Sequence, residues 1–587
     1  MDNSDVKQWD NDHFLHPWEG MEALGQNNRT FVERASGIHV VNDKGERLID
    51  GPGGMWCTQI GYGREEMADA MAEQARNLAY FSPFNNTNST ATHFAREIAK
   101  RTPGDLNSVF FTTGGSTAVD TALRFVHFRN NLLGNPDKKI VISRQKAYHG
   151  STYLAASISG KERDRLWLDK ADNLAHFLPD VNPLHRNEGQ SIQAFLDEKI
   201  ADLEHAILSL GAGKVAAFIA EPILASGGVI VPPKGYHKRC LEICRKHDVL
   251  YISDEVVTAF GRLGHWFASE DVFGIQPDII TCAKGLTSGY VPMGAAIISD
   301  QLITDVTGKD ATFSNGYTYS GHPVSAAAGL KSMEIIEREG LLEHVQKMAP
   351  IFQNRLQELQ SIDIVSDTRG LGLMGCVQCS EHGEARGDLD LDTQIGAMID
   401  AECQKRGLIL RPVINMCVFS PPLIIKEAEP LNEGAEGFKA IDMTLLRKCP
   451  CTVWLHRRID KPRNKRRIAV AIDPMRTSDE QHELSLRLLE LSRSIADTCD
   501  SRLHVISCWE YYLENYLDGN MWIQVEDAQL DKEVSNAKVK HEQALQSLID
   551  ESGIAGEMVF HLLHGKADDK IPDIIDELEI EIVSYTD

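Results

Sequence analysis

The chain has 587 residues, 42% of them hydrophobic, with 60 Lys+Arg against 85 Asp+Glu and 12 cysteines. A formal charge of −25 excludes a general nucleic-acid binder, whose surface must attract phosphate, and the hydrophobic share excludes a wholly disordered chain. At roughly 100–200 residues per domain, the length allows about three to five domains or one large multi-lobed enzyme.

The start, MDNSDVKQWDND, is acidic and polar and carries no readable signal or transit peptide. No apolar run in the chain approaches the roughly 18–20 residues of a membrane helix, so no membrane partner is expected. The cysteines are scattered, as reduced thiols packing as small hydrophobes would be. A cytoplasmic protein is the expectation.

From residue 1 to about 425, short β-branched runs alternate with longer helical patterns. Val109–Phe111, Lys139–Ile142, Val215–Ala220, Val249–Ser253 and Asp278–Cys282 read as strands, with amphipathic helices such as Ala118–Phe128 and Tyr236–His247 between them. That alternation implies an α/β fold with a largely parallel sheet, helices on both faces and ligands outside the carboxyl ends of the strands.

Chemistry-bearing residues fall just after those runs. In FFTTGGSTAVDTALRF, Gly114 and Gly115 form a turn before a helix beginning near Ala118. Loop amides and a helix N-terminus suit a phosphate, although a plain strand–helix turn reads the same way. Tyr148-His149-Gly150 adds a ring able to stack on a planar cofactor. Asp254 ends the apolar run VLYISD, where an acid is most often a helix N-cap. Lys284 ends DIITCAK before the glycine-rich GLTSGYVPMG, and a lysine in a desolvated pocket has a lowered pKa suited to Schiff-base chemistry. With that lysine, Asp254 gains a second reading, as the carboxylate that pyridoxal phosphate (PLP) needs on its pyridine nitrogen. Cys376 and Cys379 stand three apart on a strand pattern and so face opposite sides; neither they nor Cys449/Cys451 are followed by a second ligand pair, and no metal site is expected.

Beyond Ile424 the sequence turns acidic (KEAEPLNEGAEG), then basic, with nine Lys/Arg and one acid, Asp460, between Arg447 and Arg467. A solvated linker is the favoured reading. After it come a strand pattern ending at Asp473, a helix over Ser478–Cys499, the strand LHVISCW and a helix over Asp527–Glu551. A second, smaller α/β unit therefore begins near Lys465.

Residues 1–425 resemble the class III (ω-amino acid:pyruvate type) aminotransferases, of the PLP-dependent fold-type I architecture. The resemblance rests on Gly61–Arg64 (GYGR), Ala220–Ile223 (AEPI), Asp254–Gly264 (DEVVTAFGRLG), Cys282–Tyr290 (CAKGLTSGY), Tyr317–Pro323 (YTYSGHP) and Leu408–Val413 (LILRPV). It implies a large, mostly parallel sheet domain over about 66–325 and a small α/β domain from about 1–65 and 330–425. It further implies that Lys284 is the Schiff-base lysine and proton shuttle, and that Asp254 holds the pyridinium nitrogen. Val256 and Tyr148 would cover the two ring faces, with His149 beside Tyr148 and Glu221 near the ring. The amides of Gly115 and Ser116 would take the phosphate. Thr318 would reach the phosphate of a neighbouring subunit in a homodimer. Arg411 is the implied partner of a substrate carboxylate, with a surface arginine as the alternative, and Trp56 either lines the substrate pocket or packs in the core.

Three positions depart from the family pattern: Thr117 where glutamate is usual, Asn315 where histidine is common, and Ser226 where ornithine-type members carry glutamate. The last argues against ornithine donors. An ω-amine or ω-amino acid donor with a 2-oxo acid acceptor, pyruvate favoured, is expected. The helix that normally follows SPPLII in the family is missing from the pattern, which would expose core surface of the small domain. TLLRKCPCTVWLHR and KRRIAVAIDP are similar to a tandem universal stress protein read across its repeat junction. Residues 426–464 are then a linker and the end of a first repeat, and 465–587 a truncated second. In nucleotide-binding members of that family, the acid after the first strand, here Asp473, faces the adenine nucleotide. The sequence stops at EIVSYTD, just where the phosphate-binding glycine motif of those members would begin, so no ATP binding is expected of the tail. Two other readings stand beside the transaminase: an impaired fusion with a stress-response or scaffold role, and another PLP reaction, aminomutase or epimerase, on the same fold.

Overall fold

In the computed structural model the described residues are 3–26, 29–380, 389–426, 455–456, 467–475, 479–509, 527–565, 567–578, 580 and 582–585. The chain splits into two compact units, Met1–Ala428 with Glu436–Thr444, and Glu429–Ala435 with Leu445–Asp587. The stretch that carries the acidic-to-basic linker, the Cys449/Cys451 pair, most of the supposed end of a first repeat and the place of the expected missing helix lies almost entirely outside the described residues.

In the first unit, three strands, β1 (Val32–Ser36), β2 (His39–Asn42) and β3 (Arg47–Asp50), precede the large sheet. The large sheet comprises β4 (Leu106–Thr112), β5 (Ile140–Arg144), β6 (Ala175–Leu178), β7 (Val215–Ala220), β8 (Leu250–Asp254), β9 (Ile279–Cys282) and β10 (Gly294–Ser299). Its order is β4-β10-β9-β8-β7-β5-β6, parallel except that β10 runs antiparallel to both neighbours. All described residues of β7 to β10 are buried, which is why these strands read as unbroken apolar runs. Alternation still sorts their side chains. Phe218, Ala220 and Tyr251 enter one core with the helices Ile192–Leu210 and Tyr236–Lys246, whereas Ala217, Ile219 and Ile252 enter another with Val119, Leu123 and Val126.

The helix after β4 spans Gly115–Leu132, three residues earlier than its sequence pattern indicated, so Gly115 and Ser116 belong to its first turn. β6 and β10 had no reading at all in the sequence. Helix Pro323–Arg338 begins with proline at its first position, where a missing N–H costs nothing. Its Gly329 lets Phe94 pack close; an added Cβ would lie 2.1 Å from that ring.

Two smaller sheets complete the unit, with β11 (Val365–Leu371), β12 (Met374–Cys379), β13 (Leu408–Ile409), β14 (Arg411–Val413) and β15 (Met416–Phe419). β13 pairs with β3 in the order β1-β2-β3-β13, and β14 closes the sheet β11-β12-β15-β14. The chain thus changes sheets at Leu410, which fixes Arg411 as the first residue of β14.

The second unit has β16 (Leu455–His456), β17 (Ile468–Ala471), β18 (Leu503–Trp509), β19 (Met558–His564) and β20 (Ile582–Tyr585), ordered β16-β20-β17-β18-β19. The last four strands are mutually parallel, and only β16 is antiparallel. Helices Asp479–Thr498 and Asp527–Ser552 pack Leu488, Leu489, Leu545 and Leu548 against Val470 and Val505. No helix among the described residues is long and apolar enough to cross a membrane.

Candidate active site

The carboxyl edge of the large sheet gathers the site. Glu221 follows β7, Asp254 ends β8, Lys284 lies two residues past β9, and Tyr148 and His149 lie in the segment after β5. These residues, with Gly115, Ser116, Val256, Trp56 and Arg411, line one cavity of about 580 Å³. Ten of the eleven residues singled out from the sequence are therefore together. Thr318 is the exception: it is exposed, does not line this cavity, and its carbonyl accepts from Tyr80 Oη at 2.9 Å.

Asp254 is buried, and its oxygens are held from three sides. Oδ2 lies 2.7 Å from His149 Nδ1, while Oδ1 accepts from Thr281 Oγ1 at 3.1 Å and from the Val256 N–H at 3.2 Å. His149 is itself fixed by Ser143 Oγ at 3.2 Å from Nε2 and by its own N–H to Ser159 Oγ at 2.9 Å. Lys284 starts a single 3₁₀ turn with φ +44, an uncommon conformation for a residue with a side chain. Burial pushes its amine below the ordinary lysine range, against the pull of Asp254 and Glu221. Glu221 accepts from the N–H groups of Tyr148 at 3.0 Å and Ala225 at 3.1 Å, and burial raises its carboxyl.

The residues fit a flat, phosphate-bearing ring. The first turn of helix Gly115–Leu132 offers free backbone donors, as helix N-termini do. A Cβ on Gly115 would come within 3.0 Å of Val256 Cγ1, so only glycine keeps the slot between them open. Gly150, at φ +138, presses against Ser116, where a Cβ would lie 2.5 Å from Oγ. A carboxylate has about four acceptor positions, so Asp254 keeps one for a ring N–H after its three internal donors.

Trp56 is buried in a core cluster with Ile223, Ala225, Met374, Cys376 and Val418, and it also lines the cavity. Cys376 belongs to that apolar cluster, and burial pushes its thiol up to about 11. Among the described residues no group of three His, Cys, Asp or Glu is placed to hold a metal ion. Ser226 lines the cavity with a buried hydroxyl that has no hydrogen-bond partner.

Several lining residues had no sequence signal. Trp18 stands 6.0 Å from the Tyr148 ring, Lys161 comes from an irregular stretch after helix Tyr153–Ser157, and Arg163 and Asp164 come from the 3₁₀ turn Arg163–Arg165. Thr281 could have been found: it precedes Lys284 by three residues on a strand whose neighbour ends in Asp254.

Residues 21–441 match the family described as Aminotransferase class-III. The chain is 36% identical over 455 residues to a putrescine–pyruvate aminotransferase of Pseudomonas aeruginosa, covering 76% of this chain and 96% of that protein. It is 37% identical over 408 residues to a mitochondrial γ-aminobutyrate transaminase of Oryza sativa subsp. indica, covering 68% and 78%. An (S)-enantioselective ω-transaminase of Thermomicrobium roseum superposes with a TM-score of 0.70 at 32% identity over 73% of this chain and 95% of that one. An ω-transaminase from Pseudomonas jessenii, solved in complex with PMP, gives the same score at 32% identity over 72% and 94%. The chain belongs to the class III aminotransferases. It is a transferase of the PLP-dependent aminotransferase fold, and its cofactor is pyridoxal 5′-phosphate.

Proposed function

We propose that this enzyme moves an amino group from an ω-amino acid or amine to a 2-oxo acid, pyruvate being the favoured acceptor. The observation that carries the reading is the convergence of Lys284, Asp254 and the Gly115 helix N-terminus on one cavity. Lys284 Nζ would hold the cofactor covalently, Asp254 would take its ring N–H, and the Gly115 and Ser116 amides its phosphate. Tyr148 and Val256 would bound the ring faces, with Glu221 fixing the Tyr148 backbone. Bound in this way, the cofactor supplies an electron sink for the bond to the substrate's amine-bearing carbon. The chain's own contribution is proton handling: Lys284 Nζ, kept less basic by burial, takes the proton from that carbon and returns it. Arg411 would pair with a substrate carboxylate, a natural match for a planar guanidinium.

The test uses the purified chain with PLP. A visible absorbance band of lysine-linked cofactor and alanine formation from pyruvate are expected. Both should vanish in Lys284→Ala, and turnover surviving that substitution would refute the reading. Alanine formation also separates a transaminase from an aminomutase or epimerase. Arg411→Ala should impair pyruvate far more than an uncharged aldehyde acceptor.

Thr318 would serve a neighbouring copy, making the working form a homodimer; its exposure in the single chain supports that placement. The ten described cysteines are all free thiols, which supports a reducing cytoplasmic setting. Residues 1–425 would be the enzyme, with its large and small domains as read above, and 426–464 the linker. For 465–587 we retain the stress-protein-like reading, supported by the doubly wound order β19-β18-β17-β20.

A further inference from the structure

The cavity wall beside Tyr148 carries more positive charge than a neutral amine donor calls for. Lys161 Nζ lies 5.6 Å from the Tyr148 ring centroid, and Arg163 and Arg411 line the same cavity. Among the described residues, the side chains of Lys161 and Arg411 make neither a hydrogen bond nor an ion pair. Asp164 is the acid on this wall. Its Oδ1 accepts from Arg163 Nε at 3.2 Å, and its Oδ2 is buried without a hydrogen-bond partner. The remaining cavity acids, Glu221 and Asp254, are committed to Tyr148, Ala225, His149, Thr281 and Val256. Three cations therefore face one carboxylate, and two of the three are unpaired in a partly desolvated place. Such a wall attracts an acidic group and repels a second ammonium.

We propose that Lys161 is a specificity-determining residue: with Arg411 it forms a two-cation clamp that holds the acidic far end of an ω-amino acid and rejects diamines of the same length. This rests on the transaminase reading above. The clamp acts on the end of the donor that does not react, so it works mainly through KM.

The holoenzyme is assayed with pyruvate and three donors of equal length: 5-aminopentanoate, pentylamine and 1,5-diaminopentane. The wild type should prefer the acid over the monoamine and the monoamine over the diamine. Lys161→Met should lower kcat/KM for 5-aminopentanoate at least tenfold through KM, leave pentylamine within about twofold and improve the diamine; Lys161→Arg should keep the preference. Equal losses on all three donors, or an unchanged 5-aminopentanoate KM, would overturn the proposal. Pentanoate, which has no amine to transfer, provides a binding readout: it should raise the melting temperature of the wild-type holoenzyme and not that of Lys161→Met. The same shift in both proteins, or none in either, also counts against the clamp. Failure of the wild type to turn over any donor would sink the transaminase reading, while the pentanoate shift would still report on Lys161.

Discussion

His149 Nδ1 lies 2.7 Å from Asp254 Oδ2, with both side chains buried in the wall of the cavity. A carboxylate only accepts, so Nδ1 carries the hydrogen of this bond, while Nε2 faces the Ser143 hydroxyl. The histidine therefore orients the acid, just as metal-site histidines are oriented by theirs. His149→Leu removes the donor and leaves Oδ2 buried and bare. The expected stability loss is about 1–3 kcal/mol, with cofactor affinity falling about tenfold. Thermal melts and a PLP titration measure the two effects; unchanged affinity would mean that Thr281 and the Val256 N–H suffice to hold the carboxylate.

Behind Asp254, Glu255 turns the other way and takes four donors: the Ala268 and Ser269 N–H groups at 2.6 and 2.9 Å, and the Ser269 and Thr258 hydroxyls at 2.6 and 3.1 Å. Burial raises its carboxyl despite these bonds. Glu255→Ala strands buried donors next to the cofactor wall and should cost about 3 kcal/mol or more. Glu255→Gln, which keeps one acceptor, should cost less. The ratio of the two losses in urea unfolding checks the assignment.

Strand-end chemistry was the legible part of this site. Asp254 and Lys284 each close a fully buried run, and a buried strand has an end that can be read from hydropathy alone. The family motifs then named the residues around them. Glu255 stayed hidden because its partners, Ser269 and Ala268, lie 13 or more residues away across a turn with no periodic pattern. Lys161 stayed hidden for a similar reason, since it enters the cavity from an irregular segment. β10 was missed because GAAIIS follows a Gly/Pro-rich loop and carries small residues, and its antiparallel course breaks the strand–helix rhythm that revealed the others.

Gly150 tests how closely the segment after β5 must approach the helix N-terminus. Its φ of +138 is one that side-chain-bearing residues rarely adopt, and a Cβ there would lie 2.7 Å from Ser116 Cα. Gly150→Ala must displace Ser116, whose Oγ also accepts from the Ser151 N–H at 3.0 Å. Strain of about 1–3 kcal/mol is expected. PLP affinity should fall at least tenfold while the fold survives, as judged by cofactor titration beside circular dichroism.

Lys161 gives the clamp a pH signature. Burial pulls its amine down to about 8, with Asp164 and Glu221 opposing and Arg411 and Arg163 assisting, while the Tyr148 ring packs against it. Only the protonated amine holds an anion. Pentanoate inhibition should therefore be strongest below about pH 7 and weaken as pH rises through 8, approaching tenfold per unit above it. Lys161→Arg should flatten the profile, because a guanidinium stays charged throughout this range. A wild-type inhibition constant that does not change between pH 7 and 9 would remove Lys161 from the clamp.

In the second unit, His504 of β18 and His561 of β19 stack across adjacent parallel strands, with ring centroids 5.2 Å apart and Nδ1 of the first 2.9 Å from Nε2 of the second. One ring must donate and the other accept, so at least one is neutral. Burial lowers both, with Arg467 and Arg502 adding to the effect at His504 and Glu577 opposing it at His561. A histidine held neutral in the folded state contributes stability above its unfolded pKa of about 6.5 and loses that contribution as pH falls below it. The urea midpoint of this unit should drop between pH 7 and pH 5, followed by pulsed hydrogen exchange on peptides covering β18 and β19. His561→Leu removes the pair and one titrating group, so its midpoint should fall less over the same interval. A drop in the variant as steep as in the wild type would place the acid sensitivity elsewhere in the sheet.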